Sequence, residues 1–126
     1  MLPREHRLRR SQDFSLVFRK GKRFGAKRLV VHLYIDTETH AERVGFVVSK
    51  AVGNAVARNL VKRRLRAIVA RHRDQLPGGA MLVIRALPGA ADAAFGDLEV
   101  EVLGGLKRFG RIQSESGSSA NAEDRQ

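Results

Sequence analysis

The segment from Asn54 to Arg73, NAVARNLVKRRLRAIVARHR, constrains the fold more than any other part of the chain. At about 100° per residue, Ala57, Val61, Leu65, Ile68 and Val69 gather on one side of a helix. Arg58, Lys62, Arg66, Arg73, Asn59 and Arg63 gather on the opposite side. An apolar stripe of this width has to be buried, so the helix must lie against another element. The other side presents cations at i, i+4 and i+8, and no acidic residue stands anywhere in the segment. Like charges at that spacing destabilise an isolated helix by about 0.2–0.5 kcal/mol per pair, so the ladder calls for an external anion. Gly53 and Asn54 open the helix, with Asn54 as candidate N-cap, and Pro77, Gly78 and Gly79 close it, giving a predicted span of about Ala55 to Gln75.

The surface that receives the stripe is readable from period-2 patterns. Leu29, Val31, Leu33 and Ile35 alternate with Val30, His32 and Tyr34, and after the polar stretch Asp36 to Glu42 the residues Val44, Phe46 and Val48 alternate again. These two strands are predicted to form an antiparallel hairpin. Met81 to Ala86 is a nearly continuous apolar run, as in a strand buried on both faces. Upstream, Ser11 as N-cap, Asp13 in the first turn and Phe14, Val17 and Phe18 at helical spacing give a short helix ended by Gly21. Beyond Pro88 and Gly89, the residues Phe95, Leu98, Val102, Leu106 and Phe109 mark one side of a last helix. There Gly96, Gly104 and Gly105 each cost up to about 1 kcal/mol. The order is that of an α+β domain, a sheet with helices packed on it. Residues 1–112 form this single domain, and 113–126, made of Ser, Gly, Ala, Asn and charged residues, are expected to be a disordered tail.

Composition bears on what the basic side is for. The chain holds 24 Lys and Arg against 13 Asp and Glu, a net charge of +11, and such an excess repels itself until a polyanion neutralises it. Nucleic acid fits, through phosphate contacts that release counterions and bind tightly only at low salt. A solvated amphipathic helix normally mixes Glu with Lys, a membrane-surface helix carries Trp or Phe, and a double-stranded DNA reader needs a preceding helix and short turn. The segment has none of these, but charge and amphipathicity alone leave a ribosomal or general RNA-binding module open. With no cysteine, disulfides and thiolate metal sites are excluded, which fits an intracellular protein. No run approaches the roughly 20 apolar residues of a membrane span, so neither secretion nor membrane insertion is expected, and in a bacterium the expected location is the cytoplasm. His6, His32, His40 and His72 are scattered without the close acid partners of a protein nuclease, so neither a general base nor a metal site is expected among them.

One frame of residues narrows the choice. SKAVGNAVARNLVKRRLR carries a Ser-Lys, a Gly-Asn and an Arg-Asn-x-x-Lys-Arg, here Ser49, Lys50, Gly53, Asn54, Arg58, Asn59, Lys62 and Arg63, with Arg66 one turn later. This resembles the signature of the bacterial ribonuclease P protein component. Leu8 to Gly21 resembles the family's first helix and Arg43 to Ser49 the strand before its signature, so the likeness covers roughly residues 4–109. It implies a mixed sheet packed by helices in the order α-β-β-(β)-α-β-α. The connection around the signature helix would be a left-handed βαβ crossover, as in the second domain of a ribosomal small-subunit protein, where a right-handed one is the default.

The resemblance also implies a role. Ribonuclease P removes the 5′ leader of precursor tRNA, its large RNA subunit carries the catalysis with bound Mg²⁺, and the protein is an accessory subunit with no catalytic residue of its own. Lys50, Asn54, Arg58, Asn59, Lys62, Arg63 and Arg66 would meet the catalytic RNA. Phe14, Phe18 and His32 would line a cleft for the single-stranded leader, where stacking is worth about 1–3 kcal/mol per base and carries little sequence preference. The implied partners are the catalytic RNA and precursor tRNA, with no membrane and no further protein required. Two positions depart from the family pattern. Leu60 replaces a third basic residue, with Arg64 as the candidate compensating cation, and His32 stands where a tyrosine is common, which would make leader contact mildly pH dependent. Arg9, Arg10, Lys20, Lys22 and Arg23 stay open between leader, tRNA and catalytic RNA.

Overall fold

In the computed structural model of the chain, the residues described are 7, 8, 10–39 and 41–119, with side chains described through Gly110. Three helices pack on one four-stranded sheet: α1 Ser11–Lys20, β1 Lys22–Gly25, β2 Leu29–Ile35, β3 Arg43–Val47, α2 Ala55–Arg71, β4 Ala80–Ala86 and α3 Phe95–Ser119. Single 3₁₀ turns at Arg73–Gln75 and Ala90–Asp92 join the later elements. The domain is the expected α+β one, and three strands precede α2. The third, β1, is the one that alternation does not reveal, because in KRFG only Phe24 is buried.

The sheet order is β1-β2-β4-β3, with β1–β2 and β2–β4 antiparallel and β3–β4 parallel. The expected hairpin between the second and third strands therefore does not form. β4 lies between them, pairing Leu29 to Ala86 through Ile35 to Ala80 on one side and Arg43 to Met81 through Val47 to Arg85 on the other. The physical reason is burial. The seven-residue runs of β2 and β4 are apolar enough to need cover on both faces, which favours interior positions. β3 instead feeds α2, which crosses back to β4, the connection to which the resemblance assigns its unusual hand. At the outer edge of β3 the chain before α1 adds a parallel bridge, with the Leu8 amide donating to the Val44 carbonyl at 2.8 Å.

The two faces of the sheet are covered unequally. The stripe of α2 (Val61, Leu65, Ile68 and Val69) and that of α3 (Leu98, Val102, Leu106 and Phe109) are buried in one core with Leu29, Val31, Leu33, Val44, Leu82 and Ile84. Ala57, also assigned to the stripe, is only partly covered. α3 comes close because residue 105 is glycine: a Cβ there would sit 2.9 Å from Val31 Cγ2. On the other face a smaller cluster of Leu8, Val17, Met81 and Val83 is covered by α1, with Phe14, Leu16, Tyr34 and Val47 packed around it.

Element ends follow local hydrogen bonding. Asn54 caps α2 as expected, its Oδ1 accepting from the Ala57 amide at 2.9 Å. α2 ends at Arg71 rather than Gln75, as the chain tightens into the 3₁₀ turn. α1 is capped by Arg10, not Ser11. Arg10 has extended backbone and its carbonyl accepts from Asp13 and Phe14, so Ser11 is already helical and no side chain caps the helix. α3 continues to Ser119, past the boundary expected at 112, and residues 120–126 of the expected tail lie outside the described residues. Among the described residues no helix is long and apolar enough to cross a membrane.

Candidate nucleic-acid interface

The outer side of α2 carries Arg58, Lys62 and Arg66 partly buried along one line, with Asn59 and Arg63 exposed beside them. None of the four cations has an acidic partner among the described residues, and the Nε of Arg58 is buried without a hydrogen bond. Several carboxylates are used elsewhere. Glu101 holds Arg28 at 2.8 Å, Asp36 holds Arg43 at 2.8 Å, and Glu99 takes His72 at 2.8 Å and Arg71 at 3.3 Å.

Arg73, assigned to the basic side, and Arg64, the candidate compensating cation, turn out to be structural. Arg73 lies beyond the end of α2 and pairs with Glu42 at 2.7 Å, so the ladder stops at Arg66. Arg64 donates from Nη1 to the Ala93 carbonyl at 2.7 Å, tying α2 to the turn before α3, so it does not replace the cation missing at Leu60. Of the remaining signature residues, Lys50 is exposed in the turn before α2. The Asn54 side chain is occupied by its cap, so its contribution is to fix where the basic face begins.

Phe18 and His32 are brought together between α1 and β2, whereas Phe14 lies over β3, at the other side of β4. Phe18 is 43% exposed and meets the His32 ring edge to face, with centroids 4.8 Å apart and planes at 83°. Phe14, one turn earlier, is half-buried over β3. Gly45 makes this possible, since a Cβ there would fall 2.5 Å from Phe14 Cζ. Phe14 and Gly45 also share a groove with Lys62 and Arg66, so the basic side of α2 and the α1 cleft are continuous around the β3 edge.

His32 is only 6% exposed and its Nε2 has no partner. Burial, and then the cations Arg85 and Arg23, push its pKa below the ordinary 6.5. Register explains the neighbours: Arg23 is paired with His32 across β1–β2 and Arg85 with Val30 across β2–β4, and alternation puts all three on the α1 face. Sequence reading left Arg23 unassigned and passed over Arg85. The signal was there, as a single charged residue in an otherwise apolar strand. No group of three or more His, Asp or Glu among the described residues could hold a metal.

Comparison with known proteins identifies the family and the fold. A family model described as Ribonuclease P matches residues 2–110. The ribonuclease P protein component of Streptomyces griseus is 50% identical over 117 residues, covering 86% of this chain and 95% of the relative. That of Rhodococcus opacus is 47% identical over 125 residues, covering 94% and 100%. Among solved structures, the RNase P protein of Staphylococcus aureus superposes with a TM-score of 0.75 at 27% identity, covering 81% of this chain and 93% of the other. The RNase P protein of Thermotoga maritima gives 0.71 at 30% identity, covering 81% and 96%. The chain belongs to the ribonuclease P protein family.

Proposed function

We propose that this protein works as the accessory subunit of ribonuclease P, binding the catalytic RNA with one surface and the single-stranded 5′ leader of precursor tRNA with another. The observation that carries the reading is the set of cations on α2. Arg58, Lys62, Arg63 and Arg66 have no acid partner among the described residues, while several of the chain's thirteen acids neutralise other arginines. A helix held in that charge state suits a polyanion, and phosphate neutralisation with counterion release supplies the affinity. Lys50 and Asn59 extend the same surface, and Asn54 positions it.

The cleft suits a different task. Phe18 offers an exposed ring face, Phe14 a half-buried one and His32 the floor. Unpaired bases stack on such rings with little sequence preference, as a subunit serving many precursor tRNAs requires. The chemistry is assigned to the RNA subunit with its Mg²⁺. Among the described residues no cluster of acids fits a Mg²⁺ site: Asp36, Glu42, Glu99 and Glu101 are tied to arginines or His72, and hard cations need clustered free oxygens. The protein's part is to hold leader and catalytic RNA in one frame and to screen their mutual repulsion.

The test is cleavage of a leader-bearing precursor tRNA by the cognate catalytic RNA at low Mg²⁺, with and without the protein. Restored cleavage by a protein that is inactive alone is the expected result. Salt-sensitive RNA binding that leaves cleavage unchanged would instead mark the chain as a general RNA-binding module.

A further inference from the structure

Arg23 and Arg85 lie on either side of His32 on the α1 face of the sheet. Arg23 is directly opposite His32, where paired side chains lie about 5 Å apart, and Arg85 is on the next diagonal, about 7–8 Å away. They flank the imidazole from its two neighbouring strands. Neither has an ion pair or hydrogen bond among the described residues, whereas Arg28, Arg43 and Arg73 are each held by a carboxylate. His32 is 6% exposed with Nε2 unpartnered, which is costly for a buried polar atom. Phe18, itself exposed, packs edge to face against the imidazole.

We propose that Arg23, His32 and Arg85 bind one backbone phosphate of the strand stacked on Phe18, and that His32 takes up a proton as the phosphate binds. The inference rests on the leader-cleft reading above and adds a ligand group and a regulation to it. Two guanidiniums and one imidazolium supply donors on three sides of a phosphate. In the free protein burial, and then the same guanidiniums, lower the imidazole pKa, and an anion placed between the guanidiniums opposes their part of that shift. Every neighbour of the ring allows this. β1 brings Arg23, β4 brings Val83 and Arg85, and β2 brings Val30 and Tyr34 on the same face. α1 brings Val17 and Phe18, with Arg19 and Lys20 exposed in its last turn. The acid of α1, Asp13, points to Arg43 at 4.0 Å. A strand bound here is therefore held more tightly as pH falls, by up to tenfold for each unit that binding raises the His32 pKa.

The test uses holoenzyme reconstituted with the catalytic RNA, under conditions that prevent cleavage. Affinity is measured between pH 5.5 and 8 for precursor tRNA with its leader and for leaderless tRNA, and the ratio isolates the leader. The ratio is expected to rise at least threefold from pH 8 to 5.5, to be flat with pH in His32→Tyr, and to fall at every pH in Arg23→Ala and Arg85→Ala. Ring-proton titration of wild-type His32 by NMR, with and without a leader oligonucleotide, reads the same linkage should the His32 variant fail to fold, and an upward pKa shift of about half a unit matches the threefold effect. A leader contribution above one that does not change with pH overturns the proton-linked site and leaves the leader cleft standing. A ratio of one at every pH removes the cleft reading and the proposal together.

Discussion

At the scale of single residues, His32 has a consequence for the free protein as well. Its folded pKa lies below 6.5 because of burial and two nearby cations, whereas in the unfolded chain it titrates near 6.5. Between those two values the unfolded state binds a proton that the folded state does not, so stability falls as pH drops through 6.5 and the loss is complete below the folded pKa. Above 6.5 the residue contributes no pH dependence. In a phosphate-free buffer, the urea midpoint is thus expected to decline between pH 7.5 and 5.5, and to decline less in His32→Tyr. An equal decline in both proteins would place the titrating group elsewhere. The sign is opposite to that of leader binding, since the anion that completes the site also relieves the cost of protonation.

At the scale of elements, neighbouring glycines in α3 separate packing from propensity. Gly105 faces Val31, and an added Cβ would come within 2.9 Å of it, but Gly104 meets nothing within 4 Å. Gly105→Ala is expected to lose about 1–3 kcal/mol by overpacking, and Gly104→Ala to gain up to about 1 kcal/mol from helix propensity. Chemical denaturation of both variants measures the difference. The same contrast marks what was legible in the sequence. Helix periodicity in α2 and α3 identified the buried sides because each depends on one segment alone. So did the Asn54 cap, a contact across three residues. Strand partnership depends on every strand at once: alternation in β2 and β3 says which side chains face a core, but not that β4 will come between them. The cap of α1 was misassigned for a smaller reason, the extended backbone of Arg10 rather than the chemistry of Ser11. The signature motif of α2 is local and so legible, but that Arg64 and Arg73 are drawn off by Ala93 and Glu42 depends on contacts 29 and 31 residues away.

At the scale of the whole molecule, those long-range contacts sort the charge. Acids on α3 and in the connection between β2 and β3 lock Arg28, Arg43, Arg71 and Arg73 into the structure. Arg58, Lys62, Arg63 and Arg66, together with Arg23 and Arg85, keep no such partner among the described residues. Part of the net charge of +11 thus lies unneutralised along the α2 face, and the groove lined by Phe14, Lys62 and Arg66 runs from that face to α1. Two arginines that look equivalent in the sequence then differ in a measurable way. Each phosphate contact contributes about 0.7–0.9 to the slope of log affinity against log salt, so Arg66→Ala should weaken binding to the catalytic RNA and reduce that slope by about one such step. Arg73→Ala should leave the slope unchanged and cost stability by about 0–1 kcal/mol, as expected for a partly exposed ion pair. Equal slopes for the two variants would mean that RNA competes Arg73 away from Glu42, and the charge sorting would then belong to the free protein alone.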